Sequence, residues 1–165
     1  MQIVSYIIIG IIIIIFITPL NNTNTTNEIL NYLLHTAYHA NISHIVANIL
    51  TFYGLSFIEN IMGHYTFLLA ILFIWIVSSI MLYTYHSLFP SRKVYTIGFS
   101  GVIYGLIVVY ISLLGKESDI SIFDLIGSLI PQLFVPHIST EGHFFGIIAG
   151  FLYVMLFGNS TVKSN

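Results

Sequence analysis

The sequence predicts an all-α integral membrane protein, a bundle of six transmembrane helices in a single domain, and three observations carry that expectation. Of 165 residues, 57% are hydrophobic and only 6% are charged, with a mean hydropathy of +0.96, which no soluble globular domain matches. Apolar runs recur in six segments, about 3–20, 42–58, 65–85, 97–114, 121–135 and 142–157, each bounded by polar residues. Six spans of ~20 residues use ~120 residues. Short loops and no soluble domain are therefore expected.

The first run, Ile3 to Leu20, is rich in isoleucine and ends at Pro19. It lacks the basic start and small-residue cleavage site of a signal peptide, so a retained helix is expected. Asn21 to Asn27 is a polar Asn/Thr tract that belongs outside the hydrocarbon. Within it Asn24-Thr25-Thr26 matches a glycosylation acceptor, a pattern that arises mostly by chance in so Asn-rich a loop. Ile29 to Asn41 is mixed in character and holds His35 and His39, one helical turn apart. The second span stops at Glu59-Asn60, and the third carries the only tryptophan, Trp75. A loop from Phe89 to Tyr95 contains Pro90 and the pair Arg92-Lys93. Gly115-Lys116-Glu117 closes the fourth span, while the fifth is short, holds Asp124 and is interrupted by Pro131. The sixth follows Ser139-Thr140, which offer an N-cap. His64, His86 and His137 fall near expected helix ends and read as interfacial. Six spans place both termini on one side, but Arg92 and Lys93 oppose Lys116 and Lys163, so the positive-inside rule does not choose which.

Composition also excludes functions. A net charge of −2 with four Lys/Arg leaves no basic patch for nucleic acid. Without cysteine there is no disulfide, thiolate nucleophile or Cys-ligated zinc. His35, His39 and His44 lack a His-Glu-x-x-His motif or paired carboxylates to complete a metal site, so no metal or cofactor is expected.

The stretch that organises the chain is Gly98-Phe99-Ser100-Gly101-Val102-Ile103-Tyr104-Gly105, which opens the fourth span. Gly101 and Gly105 form a Gly-x-x-x-Gly face suited to close helix packing, as do Gly142, Gly146 and Gly150 on the sixth span. Ser100 falls in a first helical turn, where N–H groups lack intrahelical partners and the dipole favours negative charge. Taken alone, small residues in a membrane helix favour packing. Polar groups within the spans argue for more, because they are costly in hydrocarbon. Counted back from the polar stops Asn60, Lys116 and Asn159, the residues His44, Ser100 and His143 each lie sixteen positions in. At ~1.5 Å per residue that is ~24 Å from one face of a ~30 Å core, several Å below the other. Asn48 and Tyr104 lie one turn deeper.

A serine, a histidine at equal depth and further side-chain donors are the parts for acyl transfer. Ser100 is then the nucleophile and His143 the base, with His44, Asn48 and the Ser100 N–H holding the oxyanion. No carboxylate is well placed as a third member, since Asp124 belongs near the opposite face and Glu141 sits at the entrance to span six. Each of these residues singly also fits a plain helix-to-helix hydrogen bond.

His39-x-x-x-x-His44-x-x-x-Asn48, Gly98-Phe99-Ser100-Gly101 and His143-x-x-Gly146-x-x-x-Gly150 occur in that order on spans two, four and six. This set resembles the three motifs of the rhomboid intramembrane serine proteases, over essentially the whole chain. The resemblance implies Ser100 and His143 as a catalytic dyad, His44 and Asn48 at the oxyanion, Tyr104 packed on the catalytic ring and His39 in a structural role. It also implies a cytoplasmic N-terminus, an active site facing the exterior, a fifth helix that moves to admit substrate, and single-span membrane proteins as substrates. The first loop is short and lacks the Trp-Arg pair of many members, and Gly142 stands where Ala is frequent. Two rival readings remain: a non-catalytic relative that binds membrane clients for quality control, and a small transporter using the histidines.

Overall fold

A computed structural model describes residues 1–92, 97–134 and 139–161. The expectations for Lys93, Tyr95, Val135, His137 and Lys163 fall outside the described residues. The described chain is helical without strands: α1 (Ile3–Ile17), α2 (Glu28–His35), α3 (Ile42–Leu55), α4 (Ile58–Met62), α5 (His64–Leu88), α6 (Ser100–Leu114), α7 (Ile122–Gly127), α8 (Leu129–Gln132) and α9 (Thr140–Thr161).

Of the six expected spans, three reach spanning length and apolarity among the described residues: Ile42–Met62, His64–Leu88 and Thr140–Gly158. Ile3–Ile17, Ser100–Leu114 and Ile122–Gln132 are shorter apolar helices. Fifteen residues rise ~22 Å, less than a ~30 Å hydrocarbon core. The differences have local causes. The fourth helix begins at Ser100 rather than Ile97, because Gly98 adopts φ 115° and cannot continue a right-handed helix. The fifth divides at Ser128, where Pro131 has no N–H to offer the carbonyl four residues earlier.

Two elements depart further from the sequence expectation. The mixed segment after the Asn/Thr tract forms α2, whose Asn27 side chain caps it by accepting from Leu30 N at 3.1 Å. Trp75 Nε1 donates to Leu33 O at 2.9 Å and fixes α2 against α5. Glu59, expected to end the second span with Asn60 as a polar stop, is fully buried while the helical path runs on to Met62. Its carboxylate accepts from Val4 N (2.8 Å), Ser5 N (2.9 Å) and Ser5 Oγ (2.6 Å), and His64 Nδ1 lies 2.5 Å away. Burying a carboxylate is costly unless it is fully bonded. Here the uncapped N-terminus of α1 supplies donors and a favourable dipole.

The core runs between these helices through Phe52, Ile58, Phe67, Ile74, Val102, Leu106 and Val109, all at or below 1% exposure. Helix α5 is central and packs on α1, α2, α4, α6 and α9. The most extensive contact is between α6 and α9. It is lined by glycine: a Cβ on Gly146 would fall inside contact distance of the Gly101 carbonyl oxygen, and one on Gly150 would lie 2.8 Å from Gly105 Cα. A Cβ on Gly105 would meet Ile74 Cγ2 at 2.5 Å and Gly146 O at 2.7 Å. By contrast α7 and α8 make modest contacts, mainly with α6, α9 and each other.

At Gly146 and Gly150 these approaches are backbone against backbone and have no flexible side chain to yield. Gly146→Ala should therefore lower stability by roughly 1–3 kcal/mol, the usual scale of overpacking. Gly10→Ala, with open space around the added methyl, should be neutral or mildly stabilising through helix propensity. Thermal unfolding of both variants in detergent checks this, and equal melting temperatures would exclude a tight α6–α9 contact.

Candidate active site

Helix α6 starts without a side-chain cap, because Phe99 at its N-cap offers no polar group. The N–H groups of its first turn have no intrahelical partner. The approach is fixed by Gly98, whose N–H donates to His35 O at 3.0 Å. Its φ of 115° favours glycine, and a Cβ there would lie 2.6 Å from His44 Nε2. Two independent constraints thus hold this position to glycine. They bring the end of α2, the His44 ring and the start of α6 together at Ser100.

His143 lies in the first turn of α9, and the glycine-lined contact brings that turn against the start of α6. Ser100 Oγ is 2.7 Å from His143 Nε2. The Tyr104 ring, one turn along α6, stacks on the imidazole with centroids 4.5 Å apart and planes 13° apart. On its other nitrogen, His143 Nδ1 meets Gln132 Oε1 at 2.5 Å. The Gln132 amide donates to Tyr104 OH at 2.6 Å and to Ser128 O at 2.9 Å. Tyr104 OH is in turn 3.2 Å from Ser128 Oγ, which donates to Leu125 O at 2.7 Å.

Across the recess, Asn41 caps α3 by accepting from His44 N at 2.9 Å. Asn48 Nδ2 donates to His44 O at 2.9 Å, which leaves its second N–H free, while Oδ1 is buried without a partner. A cavity of about 390 Å³ opens between α3, α6 and α7, lined among others by Ala47, Asn48, Thr51, Ser100, Tyr104 and Ser128. Asp124 lines it too, and forms a capping box with Ser121 at the start of α7.

The structure thus brings Ser100, His143 and Tyr104 into direct contact and sets Asn48 on the same cavity. His44 sits beside Gly98, and its ring meets that of His39 edge-on at 5.0 Å. His39 itself is fully buried in the first loop. There Asn21 Nδ2 donates to His39 O at 2.8 Å and His39 N donates to Asn21 Oδ1 at 2.9 Å. Gly101, Gly105, Gly146 and Gly150 line the α6–α9 contact. Sequence reasoning missed Gln132 and Ser128. The available signal was their four-residue spacing beside Pro131, two polar side chains on one face of an otherwise apolar segment.

A family model described as "Rhomboid domain" matches residues 26–160. A protein named "Putative rhomboid protein" from Acanthamoeba polyphaga mimivirus is 57% identical over 157 residues, covering 95% of this chain and 92% of the relative. No solved structure matches. The chain belongs to the rhomboid family, and it is an integral membrane protein.

Burial, with the neighbouring His44, holds the His39 imidazole down to about 4, so it is neutral at pH 7. The unfolded chain, with histidine near ~6.5, binds the proton first. Stability should therefore be full above pH ~6.5 and fall as the pH drops toward 4. Melting temperatures of the wild type and His39→Gln across that window test this. The wild type should show the steeper decline, and parallel curves would exclude His39 as its source.

Proposed function

We propose that this chain is an intramembrane serine endopeptidase that cuts single-span membrane proteins with a Ser100–His143 dyad. The single observation that carries the reading is the 2.7 Å contact between Ser100 Oγ and His143 Nε2 at the wall of an open cavity. In the first step His143 Nε2 takes the hydroxyl proton as Ser100 Oγ bonds to the substrate carbonyl carbon. The carbonyl oxygen gathers charge, which the Ser100 N–H, the free N–H of Asn48 and His44 are arranged to receive. His143 then gives its proton to the leaving amide nitrogen as the C–N bond breaks. A water molecule, deprotonated by the same imidazole, hydrolyses the resulting ester. Tyr104, stacked on the ring, keeps it in plane. No metal or cofactor enters any step.

The architecture that goes with this reading is one membrane domain of six inserted helices, with the shorter α1, α6 and α7–α8 completing the bundle. The termini lie on the cytoplasmic side and the Ser100 end faces the exterior, with lipid around the bundle. Because Ser100 is the first residue of α6, the recess lies close to one membrane face and water can enter it.

Ser100→Ala and His143→Ala should each abolish cleavage of a transmembrane substrate, and the double variant should be no worse, since a catalytic unit is not additive. Wild type should be labelled by a serine-directed fluorophosphonate and be indifferent to chelators. Turnover retained in either single variant removes the dyad. A folded wild type that resists labelling and cuts nothing favours the client-binding reading.

A substrate helix hides its carbonyls in i to i+4 bonds that lipid cannot replace. Ser100 can attack only where the substrate unwinds, which costs least near the wet end. Replacing Gly or Pro beside the cut site with Leu strengthens that helix, since Gly and Pro are ~1 and ~3 kcal/mol worse than Ala. Cleavage in liposomes should slow by at least ~5-fold, about 1 kcal/mol in barrier. Equal rates across such a substrate series would exclude unwinding as the selective step.

A further inference from the structure

One hydrogen-bond acceptor settles the direction of the chain of contacts behind His143. Ser128 O is a backbone carbonyl and can only accept, so the group facing it at 2.9 Å must be the Gln132 NH₂. The same NH₂ lies 2.6 Å from Tyr104 OH. The oxygen of that amide therefore points the other way, at His143 Nδ1, 2.5 Å distant. An amide oxygen only accepts, so Nδ1 must carry the proton. In the neutral ring Nε2 is then bare and faces Ser100 Oγ–H at 2.7 Å. Every hydroxyl in the series has a consistent direction: Tyr104 donates to Ser128 Oγ, and Ser128 donates to Leu125 O.

We infer that Gln132 is the positioning residue that holds His143 as the Nδ1–H tautomer, so that its Nε2 faces Ser100 as a base. This deepens the protease reading and rests on it for its consequence in turnover, though not for the tautomer itself. An imidazole with its proton on Nε2 would point a donor at Ser100 and could not take the hydroxyl proton. Gln132 does this without charge. A carboxylate in the same place would also accept from Nδ1–H, but it would bring an ion into an apolar segment at considerable cost. When His143 takes the serine proton, Nδ1–H keeps the same acceptor, so no partner has to move during the step. The acceptor comes from a helix other than those of Ser100 and His143. Gln132 sits on α8, which is anchored through Tyr104 of α6 and the carbonyls of Ser128 and Leu125.

The test compares wild type with Gln132→Leu, which removes the acceptor at similar volume, and Gln132→Glu, which keeps an acceptor. In ¹⁵N-histidine-labelled protein, the His143 ring signals, assigned by their loss in His143→Ala, should report Nδ1–H in wild type and Gln132→Glu. Gln132→Leu should lose that preference. In cleavage assays Gln132→Leu should lower kcat by roughly 10- to 100-fold with KM little changed, a part of what positioned acid–base catalysis supplies. Gln132→Glu should recover most of that loss. A wild-type ring protonated on Nε2 overturns the inference, as does a Gln132→Leu protein with unchanged tautomer, whatever its rate. Normal kcat in Gln132→Leu overturns it too, provided Ser100→Ala is inactive in the same assay. If Ser100→Ala cuts as fast as wild type, the protease reading fails instead, while the ring tautomer still reads the Gln132–His143 bond.

Discussion

The close approach of α6 and α9 is the constraint on which the rest depends. Ser100 and His143 are 43 positions apart and lie on different helices, yet their side chains meet at 2.7 Å. That distance is set by backbone contact one and two turns along, where Gly146 and Gly150 lie against Gly101 and Gly105. In lipid the apolar effect does little to bring helices together, and small residues that let backbones touch take over that role. Pushing the helices apart by one methyl group would carry the imidazole away from the serine by a similar amount. Stability and the geometry of the candidate site are therefore set by the same four glycines.

Much of this was legible in the sequence because hydrocarbon makes polar residues conspicuous. His44, Ser100 and His143 stood out as polar groups within apolar runs, and counting from the polar ends of their helices gave them a common depth. The glycine spacing on two helices likewise indicated which faces could pack closely. Where the reading went astray, a polar group had found partners that local sequence does not reveal. Glu59 looked like a helix stop, but donors from Val4 and Ser5, more than fifty residues away, let it be buried. Helix α2 was obscured because its support comes from Trp75 and from its own Asn27 cap rather than from a strong apolar run. Gln132 carried only the weak signal of its spacing from Ser128: it lies beside a proline in a short segment, and its importance depends on where α9 places His143.

The two sides of the recess differ in how firmly they are held. On the α3 side, His44 is fixed by the Asn41 cap, by the edge of His39 and by the closeness of Gly98. His39 is in turn clasped by Asn21, so the first loop braces the α3 side of the recess through a pair of hydrogen bonds. Desolvated donors held in advance lose little on reorganising as charge develops. The Asn48 side chain is held by its one bond to His44 O, with its oxygen left buried and unpartnered.

The other side is bounded by α7 and α8, two short helices divided at Ser128 and lacking an extensive contact with the bundle. Their hold on the rest runs largely through the polar series of Gln132, Tyr104 and Ser128, together with the Leu125 and Leu129 packing against Val108 and Ile147. That series ends at His143 Nδ1. A substrate helix that entered the cavity between α3 and α7 would press on this segment. Any displacement of α8 that broke the Gln132 contact would free the imidazole to change tautomer or turn. The elements that could yield to substrate are thus bonded to the base that would act on it. On the protease reading, entry and chemistry would be linked by one neutral amide, which a charged residue could not replace at equal cost in an apolar segment.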